Sequence, residues 1–197
     1  MKTLKSTITF LLILIALISC SKDNDDSAPV IQISTQNPLE AYLAATGYNQ
    51  QTVPNINNAS TYEFGISFTP LVDGKLTALI VKIPDVNPNL RVTIWDKTTG
   101  AILRTELVNV SSSGVETSKT ISAIDLTANR EYAITMNSND YYRHSKTNNV
   151  PATYPVIVGD LKIISYAFRF GSDQIMPIAS ADSNWLYSGD LSFLFQK

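Results

Sequence analysis

The sequence predicts an all-β domain: an antiparallel β-sandwich of the jelly-roll or immunoglobulin-like kind, with about eight strands and one short N-terminal helix. Apolar and polar residues alternate over short stretches, which is the pattern of half-buried strands. Turn residues separate these stretches about every 8–12 residues, a spacing typical of sandwiches. Charged residues make up only 16% of the chain, whereas Thr, Ser and Asn are abundant, as is common in exported β-rich proteins.

Residues 1–19 have the layout of a lipoprotein signal peptide. Lys2 and Lys5 supply positive charge, and the apolar run 8–18 is too short to be a membrane-spanning helix. The run leads to Cys20, the only cysteine. Leu17-Ile18-Ser19-Cys20 resembles a bacterial lipobox, which implies cleavage before Cys20 and attachment of a diacylglycerol to its thiol. Two or more acyl chains anchor a protein stably in a membrane.

Residues 20–30 are expected to be the lipidated cysteine and a flexible tether, since nothing in 21–28 can be buried. The acidic residues here resemble the export signals of Bacteroidetes surface lipoproteins. That resemblance implies an outer-membrane lipoprotein at the cell surface. An ordinary soluble linker has the same composition, so a periplasm-facing orientation stays open. Residues 31–197 are expected to form a single β-sandwich domain.

The charge balance excludes two classes of partner. Removing Lys2 and Lys5 from the 15 basic residues leaves 13 against 17 acidic ones, a net charge of −4. Nucleic acid is therefore not an expected partner, because phosphate binding needs a basic stripe. Electrostatic adhesion to an anionic membrane is not expected either, so contact with the membrane depends on the lipid.

The helix is predicted over residues 39–46. Asn37 is a suitable N-cap, Pro38 suits the first helical position, and Gly47 is a typical terminator. Strands follow from residue 62, where Tyr62, Phe64, Ile66 and Phe68 alternate with smaller or polar residues. The predicted strands cover residues 62–68, 75–83, 90–95, 101–108, 116–121, 131–136, 161–170 and 191–195.

Several motifs, in this order, resemble a family of bacterial exported β-sandwich domains of unknown function. They are Tyr62-Glu63-Phe64-Gly65, Val72-Asp73-Gly74-Lys75-Leu76-Thr77, Arg91-Val92-Thr93-Ile94-Trp95-Asp96, Thr99-Gly100 and Leu126-Thr127-Ala128. A closer resemblance is to Bacteroidetes lipoproteins that end in Tyr-x-Gly-Asp-Leu-x-Phe, here residues 187–193. The resemblance covers residues 60–145 well and the C-terminal end more thinly. It implies the fold and an envelope location, and it transfers no catalytic residue.

Catalytic chemistry has little support in the sequence, and we expect the protein not to be an enzyme. His144 is the only histidine, which excludes a His-rich zinc site, and no Gly-x-Ser-x-Gly elbow accompanies it. We expect His144 to be an exposed loop residue without a partner. A glycan hydrolase would need two carboxylates facing each other across a cleft. The aspartates all lie in or beside turns, where Asp73 and Asp190 are expected to cap the backbone.

No cofactor or metal site is expected, although calcium remains an alternative. Residues 137–140 supply oxygen ligands at alternate positions but lack the glycine and glutamate of an EF-hand.

The best lead is a set of aromatic and polar residues in two segments. We predict Tyr141, Tyr142 and Trp185 as stacking platforms, with Arg143, Asn148 and Asp140 as polar contacts. Sugars bind by stacking on aromatic rings while polar side chains take their hydroxyl groups. The segment 137–160 is a long predicted loop, and long loops are often functional.

The expected role is therefore that of a non-catalytic, lipid-anchored module that binds a glycan or a surface partner. A structural or accessory subunit of a surface assembly is the first alternative, and a glycan-active hydrolase is the second. Trp95 lies inside a predicted strand and is expected to be buried.

Overall fold

The computed structural model describes residues 33–54 and 60–197, and residues 33–197 form one compact unit. The described residues contain one α-helix, Leu39–Thr46 (α1), and a short 3-10 helix, Ala181–Asn184. Their strands are Thr35–Gln36 (β1), Gln50–Thr52 (β2), Tyr62–Pro70 (β3), Gly74–Lys82 (β4), Asn87–Asp96 (β5), Ala101–Val110 (β6), Thr117–Leu126 (β7), Tyr132–Ser138 (β8), Arg143–Ser145 (β9), Val156–Val158 (β10), Leu161–Phe170 (β11), Leu186–Ser188 (β12) and Asp190–Gln196 (β13).

The strands confirm the predicted antiparallel sandwich. A six-stranded sheet in the order β10-β11-β3-β8-β5-β6 packs on a four-stranded sheet in the order β1-β13-β4-β7. Phe68 of β3 and Phe193 of β13 meet between the sheets, with ring centroids 4.6 Å apart. A third, three-stranded sheet, β12-β9-β2, is called the small sheet below.

The predicted helix is also confirmed, and its ends have a local cause. Pro38 occupies the N-cap, and the side-chain oxygen of Asn37 accepts a hydrogen bond from the N–H of Leu39 at 3.3 Å. Gly47 ends the helix in the left-handed region, at φ 78°. Tyr42 turns its ring into the core, where it packs edge-on against Tyr187 at 5.2 Å.

The outer face of the six-stranded sheet is buried as well and carries a polar network. Glu63 is fully buried and accepts hydrogen bonds from Arg91 at 2.8 Å and Thr135 at 2.6 Å. The indole N–H of Trp95 donates to the Thr135 hydroxyl at 3.0 Å. Trp95 is thus buried as expected, but on the face opposite the main core. These bonds satisfy both carboxylate oxygens of Glu63, which would be costly to bury alone.

Residues 171–174, the strap, cross this outer face directly after β11. The strap hydrogen-bonds to side chains on successive strands: Asn137 of β8, Arg91 and Thr93 of β5, and Thr105 of β6. The strap has no regular secondary structure, and these hydrogen bonds to side chains of the sheet hold it in place. The strap explains how a carboxylate on an outward-facing side of the sheet is shielded from water.

No helix in the described ranges is long and apolar enough to cross a membrane. The predicted signal peptide, Cys20 and the tether up to residue 30 lie outside the described residues.

Candidate functional site

The segment 137–160 is not one long loop, contrary to the sequence-based expectation. β9 lies at the centre of the small sheet, between β2 and β12, and β10 pairs with β11 at the edge of the six-stranded sheet. Backbone pairing therefore fixes parts of a segment that was predicted to be one long binding loop.

Tyr141 is buried, so the prediction that it is an exposed stacking platform is wrong. It is 4% exposed and packs edge-on against Phe64, with ring centroids 4.9 Å apart. Arg143 is half-buried, and its Nη2 donates to the Tyr141 hydroxyl at 3.3 Å. Both side chains line a cavity between the small sheet and the six-stranded sheet.

Tyr142 and Asp140 contact other residues than Tyr141 and Arg143 do, because successive side chains of an extended segment point to opposite sides. The ammonium of Lys82 lies 5.2 Å from the centroid of the Tyr142 ring, a cation–π contact. The carboxylate of Asp140 accepts the backbone N–H of Asp85 at 2.5 Å. Neither contact is with the cavity that Tyr141 and Arg143 line.

Asp140 and Asp85 border a polar depression of about 240 Å³, which Asn87 and Asn139 also line. Burial raises the pKa of Asp140, and the charge of Asp85 adds to this rise. Among residues 33–54 and 60–197, no group of three or more His, Cys, Asp or Glu could hold a metal ion. A cation here would therefore depend on two carboxylates and on amide oxygens.

The two remaining predicted residues stand apart from these. Asn148 lies in an exposed turn, where its side-chain oxygen accepts the N–H of Val150 at 3.2 Å. Trp185 follows the 3-10 helix and is 48% exposed, so its ring is available to a ligand. The six predicted binding residues therefore occupy several surroundings instead of one site.

A shallow groove of about 530 Å³ offers a more coherent site. One of the residues that line it, Asn184, directly precedes Trp185 in the chain. We call this groove the Tyr154 groove. Its walls combine one aromatic ring with hydroxyl, amide and small apolar side chains, among them Thr153, Tyr154, Ile164, Ser165, Ser180 and Asn184. None of the described residues that line it is charged.

Three separate chain segments form the groove, and specific contacts hold them together. The N–H of Ala152 donates to the carbonyl of Asn184 at 2.7 Å, and the Tyr48 hydroxyl donates to the same carbonyl at 3.0 Å. The Tyr154 hydroxyl pairs with that of Tyr42. Burial raises the pKa of Tyr154, so its phenol stays neutral and can share a proton.

A β-bulge in β11 shapes the floor of the groove. The pairing of β11 with β3 shifts between Ile163 and Ser165, so Ile164 has no partner in the ladder. Bulges of this kind re-aim side chains and are frequent beside binding sites. Here the bulge brings both Ile164 and Ser165 to the groove.

His144 is buried and has a partner, contrary to the expectation of an exposed, unpaired residue. Its Nε2 lies 2.5 Å from Oδ1 of Asp190, which is also buried. Asp190 therefore does not serve as a simple turn cap. Sequence reasoning missed this pair because the two residues are 46 positions apart and His144 lies in a three-residue strand without a periodic pattern.

The fold and its cavities define a β-sandwich module with concave sites at the ends and edges of its sheets. The chain belongs to the family described as a domain of unknown function (DUF4082), whose model matches residues 48–187. Comparison with curated proteins gives no match for this chain.

Motifs singled out in the sequence now have structural roles. Gly189 has φ 84°, and a Cβ there would lie 2.1 Å from the Phe64 ring. Tyr187 donates its hydroxyl to the Leu191 carbonyl at 3.1 Å. Asp73 accepts the N–H of Ala128 at 2.7 Å, which joins two turns. These residues hold the fold together, so a resemblance based on them indicates the fold and not a reaction.

Proposed function

We propose that this protein is a non-catalytic binding module, held at the outside of a Bacteroidetes-like cell by a lipid on Cys20, and that the Tyr154 groove binds a neutral glycan. The observation that carries the proposal is the composition of the groove: hydroxyl, amide and aromatic groups without a charge. Support for the location comes from the lipobox-like residues 17–20 and the polar tether after them.

The groove has the groups that sugar binding requires. Thr153, Ser165 and Asn184 make no side-chain hydrogen bond among the described residues, so their polar groups are free for sugar hydroxyls. Tyr154 and the neighbouring Trp185 provide aromatic surface for the apolar faces of sugar rings. Because no charged side chain of residues 33–54 and 60–197 lines the groove, a neutral sugar matches it better than an acidic one.

The proposal is tested with a glycan array probed by the full chain, purified from membranes in mild detergent. We expect binding to one class of neutral glycan. Trp185→Ala should weaken it about tenfold or more, as is typical when an aromatic anchor is removed.

The matched control is Phe170→Ala, which removes another exposed aromatic, 65% exposed; unlike Trp185, which directly follows the lining residue Asn184, it has no groove residue next to it in the chain. Equal affinities for the wild-type chain and Trp185→Ala would contradict the site. No binding by folded protein to any neutral glycan would contradict the function.

A protein-binding role is the second candidate, favoured by exposed apolar residues in one stretch. Phe170, Ile175 and Ile178 are 65%, 51% and 85% exposed. Apolar surface of this kind, when contiguous, marks contact sites for proteins. An accessory subunit would self-associate or assemble through this stretch. Sedimentation over a range of concentrations tests it: Ile178→Asp should abolish assembly, whereas Val150→Asp, at another exposed apolar position, should not.

A further inference from the structure

The cavity between the small sheet and the six-stranded sheet has aromatic walls and one cation. We call it the Arg143 cavity. Its volume is about 110 Å³. The aromatic lining consists of Tyr62, Phe64, Tyr141, Tyr166 and Phe168. Phe64, Tyr141 and Tyr166 are 4% exposed or less, so this part of the wall belongs to the packed core.

Two buried polar atoms at this cavity have no hydrogen-bond partner in the described part of the chain. They are the Nε of Arg143 and the hydroxyl oxygen of Tyr166. The Tyr166 side chain is fully buried; its hydroxyl lies near Ser188, without a hydrogen bond of regular geometry. Buried polar groups almost always have a partner, since leaving one unsatisfied is costly. Two such atoms at one cavity indicate that a ligand or a water molecule there supplies their hydrogen-bond partners.

The charge of Arg143 also has no counterpart. None of the ion pairs among residues 33–54 and 60–197 includes Arg143, and its one side-chain hydrogen bond is to the Tyr141 hydroxyl. A guanidinium group partly removed from water favours an anionic partner, and its fork of N–H donors matches a carboxylate.

The Tyr166 hydroxyl can donate as well. Burial raises the pKa of Tyr166, which keeps its phenol protonated. A carboxylate could therefore accept hydrogen bonds from both unpartnered groups at once. The surrounding rings would contact a short apolar body, the usual combination in small-ligand pockets of apolar walls and few polar anchors.

We propose that the Arg143 cavity binds a small carboxylate, with Arg143 and Tyr166 as the groups that hold its oxygens. This site is separate from the Tyr154 groove, and the proposal does not depend on glycan binding there. The same chemistry could come from a free short-chain acid or from the carboxylate of a uronic acid at the end of a glycan. The cavity has room for several water molecules, and occupation by water alone is the competing outcome.

The test is calorimetric titration of the full chain in detergent with sodium propionate and, separately, with sodium glucuronate. Propionamide and glucose serve as uncharged counterparts, and sodium chloride controls for ionic strength. We expect saturable binding of at least one carboxylate and none of its uncharged counterpart. Binding of propionate would indicate a free acid, and binding of glucuronate alone would indicate an acidic sugar.

Two variants assign the site. Arg143→Gln should weaken carboxylate binding about tenfold or more, because it removes the charge and the donor fork. Tyr166→Phe keeps the ring and removes only the hydroxyl, so it should weaken binding about three- to tenfold in a folded protein. Tyr132→Phe is the matched control, because the Tyr132 hydroxyl bonds to the N–H of Thr127, away from the cavity.

Two results would overturn the proposal. One is the absence of binding by both carboxylates, which would leave water as the occupant. The other is unchanged carboxylate affinity in Tyr166→Phe and Arg143→Gln.

Discussion

The imidazole of His144 and the carboxylate of Asp190 form a buried pair that joins the small sheet to the sandwich. His144 is the central residue of β9, and Asp190 begins β13 of the four-stranded sheet. Beside this pair, the N–H of Gly189 donates to the carbonyl of Tyr142 at 2.9 Å. The two contacts fix β9, and with it Arg143, relative to the core.

Removing either partner of the pair should destabilise the fold strongly. His144→Ala or Asp190→Ala leaves a buried polar group without its partner, and we expect the free energy of unfolding to fall by about 3 kcal/mol. Urea unfolding measures this loss. Ser145→Ala, the next position of β9, is the control and should cost less than about 0.5 kcal/mol. Losses below about 1 kcal/mol for both members of the pair would contradict its structural role.

Gly65 should tolerate no side chain. A Cβ at this position would lie 1.9 Å from the carbonyl oxygen of Ile134 in the paired strand β8. Gly65→Ala should therefore cost about 3 kcal/mol or more, because backbone has to move. At Gly100, with φ 74° and no atom within 4 Å of a Cβ, alanine should cost only about 1 kcal/mol of left-handed strain. Thermal unfolding of the two variants compares them; equal losses would contradict the prediction.

Acid should destabilise the protein through carboxylates that accept hydrogen bonds from cations. The hydrogen bond from Arg130 lowers the pKa of Asp96, and that from Lys119 lowers the pKa of Glu106. A carboxyl whose pKa is lower in the folded protein than in the unfolded protein stabilises the fold when the pH is above its unfolded-state pKa. This stabilisation is lost as the pH falls through the folded-state pKa. The urea concentration at the midpoint of unfolding should therefore decrease once the pH drops below about 4.

Asp96→Asn should be less stable than wild type at pH 7 and should lose less stability between pH 7 and pH 3. Asp125→Asn, at a carboxylate whose side chain is 86% exposed, is the control and should keep the wild-type acid response. An unchanged acid response in Asp96→Asn would count against the assignment.

Cys20 should determine where the chain is found in the cell. Cys20→Ser removes the thiol that the lipobox resemblance implicates, so labelling by radioactive palmitate should disappear and the protein should leave the membrane fraction. Ser21→Ala, at the following position, should change neither. Retention of Cys20→Ser in the membrane fraction would contradict lipid anchoring.

The long strands were predictable from sequence, but the short ones were not. All eight predicted strands exist, because stretches of five to ten strand-forming residues between turns, such as the alternating residues 62–68, carry a clear signal. β9 has three residues and no such signal, so its pairing partners decide its structure. The nearby Tyr141 and Tyr142 were both interpreted as ligand contacts. Because side chains of an extended segment point alternately to opposite sides, Asp140 and Tyr142 could have been assigned to one side, and Tyr141 and Arg143 to the other.

The Tyr154 groove could not be predicted, because its parts meet only in the folded chain. Its lining comes from residues 152–154, 164–165 and 179–184. The bulge at Ile164 and the bond between Ala152 and Asn184 bring these segments together, and neither has a signature in the local sequence. Trp185 is the one predicted binding residue next to this groove.

The position of β13 makes closure of the core a late event in the synthesis of the chain. β13 lies between β1 and β4, and Phe193 in it covers Phe68 of the opposite sheet. Until residue 196 has emerged from the ribosome, β4 lacks its neighbour on that side and β1 has no partner. The newly made polypeptide therefore stays open along this seam until residues 190–196 can pair with β4, so the two sheets close over each other only after the other strands have been made.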